Sequence, residues 1–205
     1  MTAPATMTTW FDEAFAGQRL MAILRGFDAA RTVRLCERAW DLGITQVEVP
    51  VQSPDAVPVL RAAVAAAAER GRRVGAGTVT SVAQLEEVAA AGVSFTVAPG
   101  LDADVVRWSR QRDLPHLPGV ATPSEVQTAL RAGLSWVKIF PAAPLGSPWL
   151  SALRGPFPDL KMVATGGMDA GNAAEFLAAG ARVVAVGSAL GDPAQLDLLA
   201  EILAG

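Results

Sequence analysis

From Leu20 onward, short apolar runs alternate with helical patterns about every 20 residues, and this rhythm constrains the fold more than any single residue does. The runs are Leu20–Arg25, Gln46–Val49, Arg73–Gly77, Ser94–Ala98, Pro115–Pro118, Trp136–Phe140, Lys161–Ala164 and Val183–Gly187. Each has strand length and little polar alternation, as strands buried on both faces require. Between them lie the helical patterns Ala29–Leu42, Asp55–Arg70, Val82–Ala91, Ala103–Gln111, Ser124–Ala132, Trp149–Leu153, Gly171–Ala179 and Pro193–Leu203. Asp28 and Thr122 stand where helices begin and can cap them, while Gly43, Gly71, Gly92, Gly133 and Gly180 stand where helices end. Eight strand–helix units in series predict an α/β fold, a closed (β/α)₈ TIM barrel, with an open doubly wound sheet as the alternative. At 205 residues the barrel is small against a typical ~250, which short connections accommodate. No linker or shift of composition divides the chain, so residues 1–205 are expected to form a single domain. Residues 1–19 form its N-terminal helical extension: Thr8–Gly17 reads as an extra helix, capped by Thr8 or Thr9, that could close the bottom of the barrel.

Composition narrows the function. The net charge of −3 argues against nucleic acid, and no apolar run reaches the ~18 residues of a membrane span. The N-terminus lacks the basic region and apolar core of a secretory signal, and the lone Cys36 has no internal disulfide partner. A cytoplasmic protein is therefore expected. One histidine, His116, and one cysteine leave little room for a His-rich metal site or a Cys/His nucleophile pair, so no metal is expected. Of the 17 basic residues only Lys138 and Lys161 are lysines. A primary amine can lose its proton near neutral pH and attack a carbonyl; a guanidinium cannot.

In a barrel the chemistry belongs at the C-terminal strand ends. Those ends read Arg25, Glu48, Thr78, Pro99–Gly100, Pro118–Gly119, Lys138, Thr165–Gly166–Gly167 and Gly187–Ser188. Strand alternation puts Trp136, Lys138 and Phe140 on one face and Val137 and Ile139 on the other. An amine buried there has its pKa lowered and becomes a candidate Schiff-base nucleophile; a structural ion pair or a lysine reaching solvent is the competing reading. Glu48, between two valines, needs a partner. It can approach Lys138 as acid and base, or pair with an arginine such as Arg25. Glycines at two adjacent strand ends, Thr165–Gly166–Gly167 and Gly187–Ser188, offer backbone N–H groups to a phosphate, and Arg25 could add a charged contact. His116, Cys36, Lys161 and the tryptophans read as structural, Lys161 because it begins its strand at the opposite end from the chemistry.

Taken together, Ala22-Ile-Leu-Arg-Gly26, Val47-Glu-Val-Pro50, Gly75-Ala-Gly-Thr-Val79, Ala98-Pro-Gly100, Leu117-Pro-Gly119, Val137-Lys-Ile-Phe-Pro141, Thr165-Gly-Gly167 and Gly187-Ser188 resemble, in order, the family of 2-keto-3-deoxy-6-phosphogluconate, 2-keto-3-deoxy-6-phosphogalactonate and 4-hydroxy-2-oxoglutarate aldolases. The resemblance spans about Leu20 to Leu190; Lys-Ile-Phe-Pro after Val-Glu-Val-Pro is its most specific part. It implies a barrel, usually trimeric, that uses neither metal nor other cofactor. It implies Lys138 as the Schiff-base lysine and Glu48 as the acid–base. It places Thr78 and Pro99 beside the pyruvate moiety, with Phe140 close by, and Gly166, Gly167, Gly187 and Ser188 around the phosphate. Arg25 matches an arginine of the galactonate-type members. Where gluconate-type members usually carry an arginine for the substrate carboxylate, this chain has Gln52, an amide as in the galactonate type.

The expected reaction is retro-aldol cleavage of a phosphorylated 2-keto acid, galactonate type favoured and gluconate type possible, to pyruvate and glyceraldehyde 3-phosphate. Alternatives are a phosphate-binding barrel isomerase that uses Glu48 and Lys138 without a covalent step, and a non-catalytic ligand-binding homologue.

Overall fold

The computed structural model describes residues 7–204, with the side chains of residues 7, 8, 188, 189 and 193 outside the description. Among the described residues, parallel strands form at β1 (Leu20–Ile23), β2 (Gln46–Pro50), β3 (Arg73–Gly77), β4 (Phe95–Val97), β5 (His116–Leu117), β6 (Gly119–Val120), β7 (Trp136–Ile139), β8 (Lys161–Thr165) and β9 (Ala181–Val186). Their hydrogen-bonded order is β5-β4-β3-β2-β1-β9-β8-β7-β6. The two ends of that order are halves of one segment, 116–120, parted at Pro118. Proline has no N–H to give a ladder, so the predicted fifth strand is split rather than continuous. β5 pairs with β4 and β6 with β7, and Lys138 N–H donates to the Pro118 carbonyl at 2.8 Å. The segment thus joins the sheet's two edges, and the strands form the barrel that the eight-unit rhythm predicts.

Helices fill the intervals: α1 (Met7–Ala14), α2 (Ala29–Asp41), α3 (Ala56–Glu69), α4 (Val82–Ala90), α5 (Ala103–Gln111), α6 (Pro123–Arg131), α7 (Ala142–Leu145), α8 (Ser147–Leu153), α9 (Ala173–Ala178) and α10 (Pro193–Ala204), with a 3₁₀ turn at Ser188–Gly191. Asp28 caps α2 by accepting from Arg31 N–H at 2.8 Å, and Thr122 caps α6 by accepting from Glu125 N–H. Several expectations need correction. The helix predicted at Trp149–Leu153 is preceded by α7, too short and proline-interrupted to carry a periodic signal. α9 starts later than Gly171 because Asp169 takes the N–H groups of Gly171 and Asn172 in a turn. α1 begins at Met7, so Thr8 and Thr9 lie inside it rather than capping it. The residues before it are outside the description.

Strand alternation separates two apolar layers. Val47, Val49, Val137, Ile139, Met162 and Ala164 face the helices, while Met21, Ile23, Phe95, Val97, Leu117, Trp136, Val163, Val183 and Ala185 face the lumen. At the bottom α1 acts as a plug. Phe11 and Phe15 enter the lumen, with Phe15 5.0 Å from the Trp136 ring. Asp12 accepts from Trp136 Nε1 at 2.8 Å and pairs with Lys161, and Gln46 donates to the Ala14 carbonyl at 3.1 Å. Lys161 is thereby accounted for at the end away from the chemistry. The top of the lumen is polar: Glu48, Lys138 and Thr165 are all buried there. Among the described residues no helix is long and apolar enough to cross a membrane.

Candidate active site

Lys138 sits on the lumen side of β7 between Trp136 below and Phe140 above. It is 2% exposed, and its Nζ lies 4.9 Å from the centre of the Phe140 ring. Glu48 sits on the lumen side of β2, two residues short of the strand end and fully buried. Neither carboxylate oxygen has a hydrogen-bond partner, and among the described residues no ion pair within 4.0 Å joins Glu48 to Lys138 or Arg25. Arg25, two residues beyond β1, is exposed. The structural readings of Glu48 and Lys138, a salt bridge or an escape to solvent, are therefore not realised.

The electrostatics follow from this burial. Desolvation lowers the Lys138 pKa, against the pull of Glu48 and with help from Arg25. Desolvation raises the Glu48 pKa, against the pull of Lys138 and Arg25. Both directions favour uncharged groups: a free amine able to attack, and a carboxylic acid able to donate. Room for this arrangement comes from β3. A Cβ on Gly77 would fall 1.6 Å from Glu48 Oε1, so that position holds the carboxyl in place only while it is glycine. Next to it Thr78 adopts φ 60, a left-handed conformation that β-branched residues rarely take. Such strain clusters at functional sites.

At the C-terminal strand ends opens a cavity of about 330 Å³, lined by Ile23, Arg25, Phe27, Phe140, Thr165, Gly166, Gly167, Met168, Ala185 and Gly187, a lining that includes neither Lys138 nor Glu48. That is the size of a small-ligand site. The Thr165 hydroxyl is buried without a partner on this lining. Gly166 and Gly167 take φ 94 and 76, and a Cβ on either would meet Phe140 at 3.0 Å or Ala143 at 2.6 Å. The turn after β8 therefore runs close beneath α7 with its backbone at the cavity. Gly187 lines the adjoining strand end; Ser188 opens the 3₁₀ turn, its side chain lying outside the described residues.

Of the remaining sequence-predicted site residues, Gln52 is exposed two positions beyond β2, and Pro99 is half-buried at the end of β4. Neither lines this cavity. Phe27 and Met168 do line it, though sequence reading passes over both; the only signal for them is their place beside Arg25 and the Gly-Gly turn. His116 points away from the lumen. Its Nδ1 lies 2.9 Å from Thr96 Oγ1, and burial pushes its pKa down to about 4. Cys36 is fully buried, with its thiol pushed up to about 12 by burial, and is inert.

The fold and site define a parallel barrel with a buried lysine and a buried glutamate on its lumen side and a cavity at its C-terminal strand ends. Residues 11–202 match the family model described as KDPG and KHG aldolase, and the chain belongs to this family. It is 37% identical over 175 residues to the "Probable 2-dehydro-3-deoxy-6-phosphogalactonate aldolase" of Rhizobium meliloti (strain 1021), covering 85% of this chain and 82% of that one. It is also 37% identical over 138 residues to the 2-dehydro-3-deoxy-phosphogluconate aldolase of Pseudomonas aeruginosa, covering 66% and 61%. Among solved structures, the KDPG aldolase from Legionella pneumophila, with pyruvate captured as a covalent carbinolamine intermediate, superposes with a TM-score of 0.81. Its identity is 28%, over 97% of this chain and 96% of that one.

Proposed function

We propose that this chain is a class I aldolase that cleaves a 2-keto-3-deoxy-6-phospho sugar acid to pyruvate and glyceraldehyde 3-phosphate. The observation that carries this reading is the fully buried, hydrogen-bond-free Glu48 carboxyl held in the same lumen as the desolvated Lys138. A structural pair would be joined. This one makes no ion pair within 4.0 Å among the described residues.

Lys138 attacks the C2 ketone as a free amine, and protonated Glu48 gives the proton that lets the carbinolamine lose water. The imine draws electrons from the C3–C4 bond as it breaks, while Glu48, now a carboxylate, takes the proton of the C4 hydroxyl. The enamine is protonated at C3 and hydrolysis releases pyruvate. Phe140, Thr78, Pro99 and the Thr165 hydroxyl surround the pyruvate portion. Gly166, Gly167, Gly187 and Ser188 receive the phosphate, far from the reacting carbons, where its binding energy positions them. Arg25 and Gln52 take the carboxylate end. The covalent adduct in the Legionella relative supports the Schiff-base step, and the amide at Gln52 favours the galactonate epimer over the gluconate one. We further propose that the enzyme works in the cytoplasm as a homotrimer.

Steady-state pyruvate release from the two epimeric phosphorylated acids and from 4-hydroxy-2-oxoglutarate tests this. The expected result is turnover of all three, with the highest kcat/KM for the galactonate-type acid. Comparable values for the two epimers overturn the epimer preference, and no pyruvate from any of them overturns the function.

A further inference from the structure

The glycine-rich end of the cavity is made of Gly166, Gly167 and Gly187, which carry no charge, and the one cation among the lining residues is Arg25. Near the glycine-rich end stands Arg31, in the first turn of α2 and exposed. Its guanidinium carbon lies 4.6 Å from the centre of the Phe27 ring, and Phe27 lines the cavity with Gly166, Gly167 and Gly187. The same guanidinium is directed at the 3₁₀ turn that continues from Gly187: a Cβ on Gly191 would lie 3.8 Å from an Arg31 terminal nitrogen. α2 and that turn pack against each other. The guanidinium is thus lodged between an aromatic face on the cavity wall and a side-chain-free position of the turn after β9.

The local carboxylates do not occupy it. Asp28 Oδ1 accepts the backbone N–H of Arg31, not its side chain. Asp192 accepts from Ala194 N–H at 3.0 Å and Gln195 Nε2 at 3.2 Å. Among the described residues no ion pair within 4.0 Å engages the Arg31 guanidinium. Stacking on an aromatic ring leaves the edge of the planar group, with its fork of donors, free for a bidentate anion.

We propose that Arg31 is the cationic ligand of the substrate's phosphate, a charge that the glycine-rich strand ends do not themselves supply; this rests on the aldolase reading above. The loop from β1 to α2 then divides its two arginines between the two anionic ends of the substrate. Arg25, beyond the end of β1, which pairs with β2 at Glu48, meets the carboxylate. Arg31, one helical turn into α2 and beside the Gly187–Gly191 segment, meets the phosphate. Phe27 between them serves as the platform that fixes Arg31, which makes Phe27 a positioning residue.

The test is the ratio of kcat/KM for the phosphorylated acid to that for unphosphorylated 4-hydroxy-2-oxoglutarate, in wild type and in Arg31→Gln, Arg31→Lys and Phe27→Leu. Removing one charge-assisted hydrogen-bonded pair, with nothing else disturbed, weakens binding roughly 10- to 100-fold, so R31Q is expected to lower the ratio by that factor, chiefly through KM. R31K, which keeps the charge but not the fork, should lose less, and F27L should fall between wild type and R31Q. Inorganic phosphate should inhibit the wild type competitively, and R31Q only at roughly tenfold or more higher concentration. An active wild type whose ratio is unchanged in R31Q, or an R31Q that slows both substrates equally, overturns the role of Arg31 alone. A wild type that cleaves neither substrate overturns the aldolase reading and this assignment together.

Discussion

At the scale of the residue, a desolvated amine and a buried carboxyl without a hydrogen-bond partner destabilise the fold that carries them. The lowered pKa of Lys138 means that the unfolded chain binds its proton more tightly than the folded one. Between the lowered value and the ordinary lysine value, stability therefore rises with pH, and below that window the full penalty is present. Replacing Lys138 by Met, similar in length and uncharged, should abolish turnover yet raise stability by about 1–3 kcal/mol in urea or thermal unfolding. Glu48→Gln keeps size and removes proton transfer; kcat should fall ~10²- to 10⁴-fold with the melting temperature little changed. On the proposed mechanism, which needs a neutral amine and a protonated carboxyl together, kcat/KM is expected to be bell-shaped against pH. The acid limb falls as Lys138 gains its proton, and the alkaline limb falls as Glu48, raised by burial, loses the proton it must donate. In E48Q the alkaline limb should move or vanish. Lys138 and Glu48 are legible in the sequence because charged residues in apolar strands are conspicuous. Phe27 and Met168 are not, since an apolar residue beside a strand end looks the same whether it faces a ligand or the core.

Among the elements, β3 and α1 do the most to shape the site. Gly77 gives Glu48 its place, and its need is visible only once β2 and β3 are paired in register, Pro50 opposite Gly77. Gly77→Ala should displace the carboxyl by more than an ångström and lower kcat about 100-fold, with circular dichroism showing the barrel intact. α1 seals the other end. Desolvation opposes it, but hydrogen bonds from Lys161 and Trp136 hold the Asp12 carboxyl below its usual range. That contribution is present at neutral pH and is lost as pH falls through the lowered value. Asp12→Ala should lower stability by about 1 kcal/mol, the half-exposed pair being screened by solvent, and change kcat by less than twofold. A bottom-closing helix is legible from its length and position, and the capping signals at Asp28 and Thr122 are both used as caps. The split at Pro118 and the short α7 are not legible, since a two-residue strand and a one-turn helix are too brief for periodicity to register.

At the scale of the whole molecule, the repeated strand–helix rhythm is enough to predict the barrel, because parallel strands need crossovers and such crossovers all run with one hand. Barrel closure through a proline-parted strand, and the depth of the site, depend on pairing between distant segments that no local pattern encodes. Light scattering should give the mass of three chains in solution; a monomer at assay concentration would contradict the proposed assembly. The proposed chemistry turns on one atom, Lys138 Nζ, and sodium borohydride reduction in the presence of pyruvate interrogates that atom. A stable pyruvate-derived mass gain is expected, mapped by peptide mass spectrometry to Lys138 and absent in the Lys138→Met variant. Pyruvate-dependent labelling of Lys161 instead, or no adduct while the enzyme still releases pyruvate, would refute the Schiff base at Lys138.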